Sequence, residues 1–175
     1  MRKSCLNKLN GNITVGCTIP QVGVKNIYLM HAGDVSFEYN PGTGFIATAT
    51  FVAGAKSYLI EGYKQNIQVN GSLKSLDAAS VMDASVTFKV QFTAASSALV
   101  NTLSMGKFHV LVVFNSGEAV VLGSNIPLEC SAADFDSNSN ANMVTLTLST
   151  PEGAPGCTML GLFNAARDTI ISKSA

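Results

Sequence analysis

Charged residues are scarce in this sequence. Eleven Lys and Arg and eleven Asp and Glu residues make up only 13% of its 175 positions, whereas an average chain carries about 25%. A compact monomer of 18.3 kDa exposes roughly 8,000 Å², which so few ionic groups cover thinly. Because interface cores are depleted in charge, we expect much of the surface to be buried in an oligomer. The alternative is a monomer with a surface rich in Ser, Thr and Asn.

Arginine is rarer still, and the formal net charge is zero. Binding to a phosphate backbone requires clustered Lys and Arg side chains. The nearest such cluster is Arg2, Lys3 and Lys8, which we interpret as a solvated chain end. The composition therefore predicts no strong contact with nucleic acid.

Long apolar runs are also missing. The start of the chain, MRKSCLNKLNGNITVG, lacks the apolar core of a signal peptide. The longest uncharged runs, Tyr39–Ala55 and Val90–Gly106, contain Thr, Ser, Gly and Asn and are shorter than the about 20 apolar residues of a membrane span. We expect a soluble protein that does not contact a membrane and is not secreted through a signal peptide.

The four cysteines, Cys5, Cys17, Cys130 and Cys157, form no C-x-x-C pair. Neither a zinc site nor a thioredoxin-like motif is indicated. In a protein assembled in the cytoplasm such residues are more often small buried hydrophobes. We therefore expect free thiols, no metal and no cofactor.

Motifs of catalysis are missing too. The sequence contains no nucleophile elbow, P-loop, dinucleotide fingerprint or H-E-x-x-H. His31 and His109 are the only histidines, and both lie within β-type segments. His109 is in the most apolar of these, so we interpret it as a structural residue. With no catalytic residue to assign, the prediction is a protein that is not an enzyme.

One polar loop, Asp134–Asn140, places oxygen-bearing side chains on alternate residues, as a calcium loop does. Ser139 stands where that loop requires Gly, and Thr145 stands where it requires a bidentate Glu. Because both positions fail, we interpret the segment as a polar loop that leads into a strand.

Short β-type segments separated by Gly, Asn, Pro and Ser dominate the chain and predict a mainly β fold. The predicted strands are Asn26–His31, Val35–Tyr39, Phe45–Val52, Ser57–Glu61, Ile67–Val69, Val81–Phe92, Lys107–Phe114, Ala119–Gly123, Pro127–Ser131 and Met143–Ser149. Residues 85–92 and 143–149 alternate apolar and polar, which is typical of antiparallel strands with one face in a core. Residues 108–114 are apolar on both faces and predict a central strand covered on both sides.

Turn and cap residues complete this interpretation. Asn115-Ser116-Gly117 predicts a hairpin with Asn115 or Gly117 at positive φ. Thr93 is a candidate cap for a helix at 94–105 with an apolar stripe, and Gly106 is a candidate C′ glycine. The stripe comprises Ala95, Ala98, Leu99 and Leu103. The tail near 160–170 is either a second short helix or an extended arm, and its apolar residues need a surface to pack on.

The order of these elements carries a resemblance. A Cys-containing arm leads to VGVKNIYLMHAGDVSFEY, then to VTFKVQF, the helix AASSALVNTLSM, the hairpin KFHVLVVFNSGEAVVLG and the strand NMVTLTLST. Over about residues 17–150 this resembles the tail-tube or ring-forming virion proteins of tailed bacteriophages, particularly those of gut Bacteroidota phages.

The resemblance implies one domain built as an antiparallel β-sandwich or partly closed barrel with one flanking helix. Its implied parts are an N-terminal arm (1–24), a core (25–150) and a C-terminal arm (151–175). It also implies a self-assembling ring, a hexamer or dodecamer, in contact with adjacent neck or tail proteins in the virion. DNA would pass through the ring without sequence recognition, and the polar face with Thr87, Lys89 and Gln91 is a candidate channel lining.

A second hypothesis is a β-sandwich binding module, such as a fibre or adhesin that contacts a glycan or a host receptor. Aromatic platforms would favour it, but the chain has no Trp. Its four tyrosines are the candidate contacts: Tyr28, Tyr39, Tyr58 and Tyr63.

Overall fold

A computed structural model describes residues 23–62, 66–76, 79–135, 137–138, 142–154 and 156–174. The N-terminal arm predicted for residues 1–24 lies outside this part of the chain except for Gly23 and Val24. Cys5, Cys17 and Tyr63 also lie outside it.

β-Structure predominates in the described residues. The strands are β1 (Val24–His31), β2 (Val35–Tyr39), β3 (Ile46–Phe51), β4 (Ser57–Glu61), β5 (Ile67–Leu76), β6 (Ala79–Gln91), β7 (Lys107–Phe114), β8 (Ala119–Leu122), β9 (Leu128–Phe135), β10 (Met143–Ser149) and β11 (Met159–Gly161). The helices are α1 (Ser97–Met105) and α2 (Asn164–Ser172). The mainly β prediction is confirmed, and α2 is the second helix that the sequence left open beside the one flanking helix.

Four strands, β2, β4, β7 and β10, have the predicted bounds, whereas β5 continues well beyond its predicted end at Val69. Asn70, Gly71 and Ser72 are typical turn residues, yet they pair with consecutive residues of β6. Pairing with a neighbouring strand here outweighs weak intrinsic β propensity. β9 is likewise longer than predicted and ends at Phe135.

Nine strands form one sheet with two limbs. The front limb has the order β4-β1-β7-β8-β11 and the back limb the order β9-β10-β6-β5. The limbs join where Lys107 and Phe108 of β7 pair with Glu129 and Leu128 of β9. All pairs of neighbouring strands are antiparallel, as predicted.

The prediction of a partly closed barrel is wrong. Within the described chain β5 pairs only with β6 and β11 only with β8, so the two end strands do not close the sheet. The Met159 side chain lies against Gly71 of β5. A side-chain contact therefore occupies the place where closure of a barrel would need backbone pairing.

The first hydrophobic core, core 1, lies between the two limbs. Val86 and Phe88 of β6 and Leu146 and Leu148 of β10 are fully buried in it, as the alternation predicts. Phe92 differs from the prediction: it is exposed beyond the end of β6 and packs on Phe135, with ring centroids 4.9 Å apart.

The second core, core 2, lies on the opposite face of the front limb. There β2 and β3 form a separate two-stranded sheet, which together with α2 makes up the outer layer of the fold. Leu111 of β7 is buried in core 2, while Val110 and Val112 of the same strand are buried in core 1. This confirms the prediction of a central strand covered on both sides.

The C-terminal segment is not an extended arm, and the predicted core boundary at residue 150 is too early. Within this segment, β11 pairs with β8 at the edge of the sheet, and α2 buries Ala166 and Ile170 in core 2. The buried hydroxyl of Ser57 donates a hydrogen bond to the Ile170 carbonyl at 2.7 Å. The apolar residues of this segment pack on the chain's own core, which decides between the two alternatives left open by the sequence.

The predictions for the turn and cap residues around the β7–β8 hairpin and α1 are confirmed only in part. Gly117 has φ 89° in the hairpin that joins β7 and β8. The prediction that Thr93 caps the helix is wrong, because α1 begins at Ser97 and its N-cap is Ser96, which makes no side-chain cap hydrogen bond. Thr93 and Ser96 close the preceding turn, where each backbone N–H donates to the other's hydroxyl at 2.8 and 3.1 Å. Gly106, however, is extended, with φ −88° and ψ 167°, and is not a left-handed cap.

Candidate assembly surfaces

The polar face of the back limb is built from the outward residues of its strands. Thr87 of β6 lies between Gln68 of β5 and Thr147 of β10 in register, and its hydroxyl lies 3.0 Å from that of Thr147. Lys89 and Gln91 continue the same face and are exposed. The three predicted channel residues therefore share one surface, which is dominated by hydroxyl and amide groups.

Charge on this face is sparse. Lys89 is a basic residue of this face, while Asp83 and Asp134 occupy other outward positions. The carboxylate of Glu129 at its margin is paired with Lys107 Nζ at 2.6 Å. Such a surface offers few cationic contacts to a phosphate backbone.

The hairpin of β5 and β6 extends past the end of β10. Its described part beyond that end, residues 71–76 and 79–84, is called the projecting hairpin. Register between β6 and β10 ends at Ser85 and Ser149, whereas β5 and β6 stay paired to Leu76 and Ala79. The alternation that buries Val86 and Phe88 places Met82 and its partner Leu73 on the same face. Because they lie beyond core 1, Leu73 is 70% exposed and Met82 is 43% exposed.

An apolar cleft of about 260 Å³ opens between β4 and α1. Leu59, Leu99 and Leu103 contribute to its walls, and Tyr58 and His31 lie beside them. The His31 ring packs between Tyr58, with centroids 5.9 Å apart, and Phe108, at 5.0 Å. The cleft lies on a different part of the molecule from the projecting hairpin.

Further large apolar side chains are exposed near the outer layer. Phe45 and Phe163 pack edge to face with centroids 6.3 Å apart, and both remain more than a third exposed. Tyr39 and Val52 are exposed on the same layer. Apolar surface is thus distributed over several separate patches. Large exposed apolar patches are typical of protein interaction surfaces.

His109 is buried beneath the outer layer. Its Nδ1–H donates to the Gly123 carbonyl at 2.6 Å, and its ring meets Phe37 edge to face at 5.2 Å. Burial lowers the pKa of His109 below its ordinary 6.5, and backbone hydrogen bonds with Gly123 and Ala32 oppose that effect. This environment fits the structural role predicted from the sequence.

The remaining candidate residues form no chemical centre in the described chain. Cys130 and Cys157 carry free thiols, and burial raises the pKa of the Cys130 thiol. The described residues contain no group of three or more His, Cys, Asp or Glu that could hold a metal. Asp134 is part of β9 and pairs with Thr145, while Asp136, Ser139 and Asn140 of the predicted polar loop lie outside the described residues.

Neither described helix has the length and apolar character needed to cross a lipid bilayer. Comparison with protein-family models, curated proteins and solved structures finds no match to the chain.

Sequence reasoning found the polar face but missed the projecting hairpin and the cleft. Alternation was visible in β6, and it extends to Met82. Whether Met82 is covered depends on where β10 ends, which is a property of the tertiary fold. Apolar Ile67, Val69 and Leu73 stand at alternate positions, and this alternation was the available signal for a longer β5.

Proposed function

We propose that this chain is a virion structural protein that assembles with copies of itself into a ring or tube of a phage tail or neck. The observation that carries the proposal is the projecting hairpin, with Leu73 and Met82 exposed on a chain of unusually low charge. Exposed apolar side chains on a projection are stabilised when a neighbouring subunit covers them. The expected state is a hexamer or dodecamer in the virion, in contact with adjacent neck or tail proteins.

The separation of the apolar patches favours a ring over a closed two-fold dimer. The projecting hairpin and the cleft beside Tyr58 lie on different elements and differ in shape, one convex and one concave. Contact between unlike surfaces is head-to-tail, and such contacts produce rings or open filaments. This supports the assembly class that the sequence resemblance implies.

The polar face of the back limb fits a surface past which DNA moves. Thr87, Lys89 and Gln91 present mainly neutral groups, and charged residues near them are few. Few cationic contacts mean weak and sequence-independent binding. In this proposal the protein passes DNA without recognising sequence and catalyses no reaction.

The projecting hairpin supplies the test. Leu73→Ser removes an exposed apolar side chain, so it should leave the folded subunit stable within about 0.5 kcal/mol and weaken assembly. Sedimentation velocity and negative-stain microscopy should show fewer and smaller particles than the unmodified protein forms. Leu73→Ile keeps an apolar side chain at the same position, so it is the matched control and should assemble normally. If Leu73→Ser assembles as the unmodified protein does, the projecting hairpin is not an assembly contact, and the proposal loses the observation that carries it.

A binding module is the second candidate, and the cleft between β4 and α1 is the observation that favours it. Tyr58 is 41% exposed there and lies next to His31, which gives a partly apolar site with polar edges of the kind that binds small ligands. A glycan array with the unmodified protein and Tyr58→Ala tests it. Binding that Tyr58→Ala abolishes would favour the module, and no binding to any glycan would contradict it.

A further inference from the structure

The outer layer is attached to the rest of the fold in an unusual way for a β protein. In the described chain β2 and β3 form a ladder only with each other, and no strand of the nine-stranded sheet extends them. Their backbone pairing with the C-terminal segment is limited to an isolated parallel bridge between Ile46 and Leu162, where Phe163 N–H donates to the Ile46 carbonyl at 3.0 Å. Side-chain packing in core 2 therefore provides most of the attachment of β2 and β3.

Layers that are attached by side-chain packing and not by backbone hydrogen bonds between strands can open as separate cooperative units. Core 1 does not depend on the outer layer, because its buried residues come from the two limbs, α1 and Cys157. Opening of β2 and β3 would expose core 2 while leaving core 1 packed. The fold thus contains an interface that can separate before the molecule unfolds.

His109 lies at this interface. It is 6% exposed, it is the cross-strand neighbour of Met30 on β1, and the Phe37 ring of β2 covers it. Its ring nitrogen Nδ1 is bound to the Gly123 carbonyl at the end of β8. The ring therefore connects β7, the end of β8 and the covering strand β2.

Charged groups on the surrounding elements do not compensate a proton on this ring. Glu38 on β2 accepts a hydrogen bond from the Thr48 hydroxyl at 2.8 Å, and Arg167 and Asp168 on α2 pair with each other at 3.0 Å. Asp34, in the turn before β2, forms no described contact with the ring. Within the described residues the groups that hydrogen-bond to His109 are backbone groups.

We propose that His109 is an acid-sensitive latch, so that protonation of its ring releases β2 and β3 from the front limb while core 1 stays folded. A buried imidazolium without a carboxylate partner gains solvation when Phe37 lifts away. The direction agrees with the lowered pKa of His109. A group of lowered pKa binds protons more readily in the opened state, so the closed layer is fully stable above pH 6.5 and loses stability as the pH falls below it.

Hydrogen exchange followed by mass spectrometry at pH 7.5 and pH 5.0, corrected for intrinsic rates, tests the latch. Peptides covering β2 and β3 should lose protection at pH 5.0, whereas those covering 85–91 of β6 and β10 should keep it. His109→Gln retains an N–H donor and cannot be charged, so its β2 and β3 should stay protected at pH 5.0. His31→Gln, which changes the other histidine, should respond to acid as the unmodified protein does.

A titration of the His109 ring by NMR in the unmodified protein provides a measurement that does not depend on folding of a variant. Its midpoint should coincide with the midpoint of the loss of protection in β2 and β3. Full protection of both strands at pH 5.0, simultaneous loss in β6 and β10, or an acid response retained in His109→Gln would each overturn the proposal.

Discussion

At the scale of single residues, Gly106 shows how one position can be required for a reason its sequence context does not reveal. Its place after α1 predicts a left-handed cap, but its backbone is extended and open to any residue. A β-carbon at this position would collide with the ring of Phe108, which is almost fully buried in core 1. Close packing, and not backbone conformation, therefore requires glycine here.

Gly106→Ala should consequently destabilise the protein by about 1–3 kcal/mol, the usual cost of adding a methyl group to a packed site. Urea unfolding monitored by circular dichroism measures this change. Gly33→Ala is the control, because a β-carbon at Gly33 meets nothing within 4 Å. If the two variants unfold at the same urea concentration, the steric explanation is wrong.

How far the residues of core 1 could be predicted depended on periodicity. Val86, Phe88 and Leu146 were assigned to the buried face from alternation alone, because a strand has only two faces. Phe92 follows the same alternation and is exposed, since the sheet ends before it. Periodicity predicts which face a residue occupies, and it cannot predict how far the covering layer extends.

At the scale of elements, α2 is part of the folded domain because of contacts from distant strands. Ile170 is fully buried, and its carbonyl belongs to the last turn of the helix, where intrahelical donors run out. The Ser57 hydroxyl of β4 supplies the missing donor. This hydrogen bond and the one from Ser57 N–H to the Lys173 carbonyl, at 3.1 Å, connect the end of α2 to an edge strand of the front limb.

Ser57→Ala should cost about 1–3 kcal/mol, because it leaves a buried carbonyl without a donor. Thermal unfolding or urea unfolding will measure the loss. Ser36→Ala, at an exposed position of β2, removes the same hydroxyl from the surface and should change stability little. A Ser57→Ala variant as stable as Ser36→Ala would mean that this hydrogen bond does not hold α2 in place.

Element positions were largely predictable and element partners were not. The bounds of β7 and β10 followed from composition and pattern. The separation of β2 and β3 from the main sheet did not, because residues 35–51 read as ordinary strands in any sheet. The apolar tail could not be assigned to its own core or to a neighbour without knowing that core 2 was open to receive it.

At the scale of the whole molecule, surface composition connects the fold to the proposed function. Twelve large apolar side chains are more than a third exposed in the described chain, while charged residues make up only 13% of the sequence. Isolated exposed apolar residues are ordinary, but here several form pairs or project from the sheet. Burial between copies would remove these surfaces from water and explain the low charge together with them.

The molar mass of the purified protein, measured by light scattering over a wide range of concentrations, tests this account most directly. We predict a mass several times the 18.3 kDa of one chain, with rings or tubes visible by electron microscopy in the same sample. A mass of one chain at every concentration, with no assembled particles, would contradict the account.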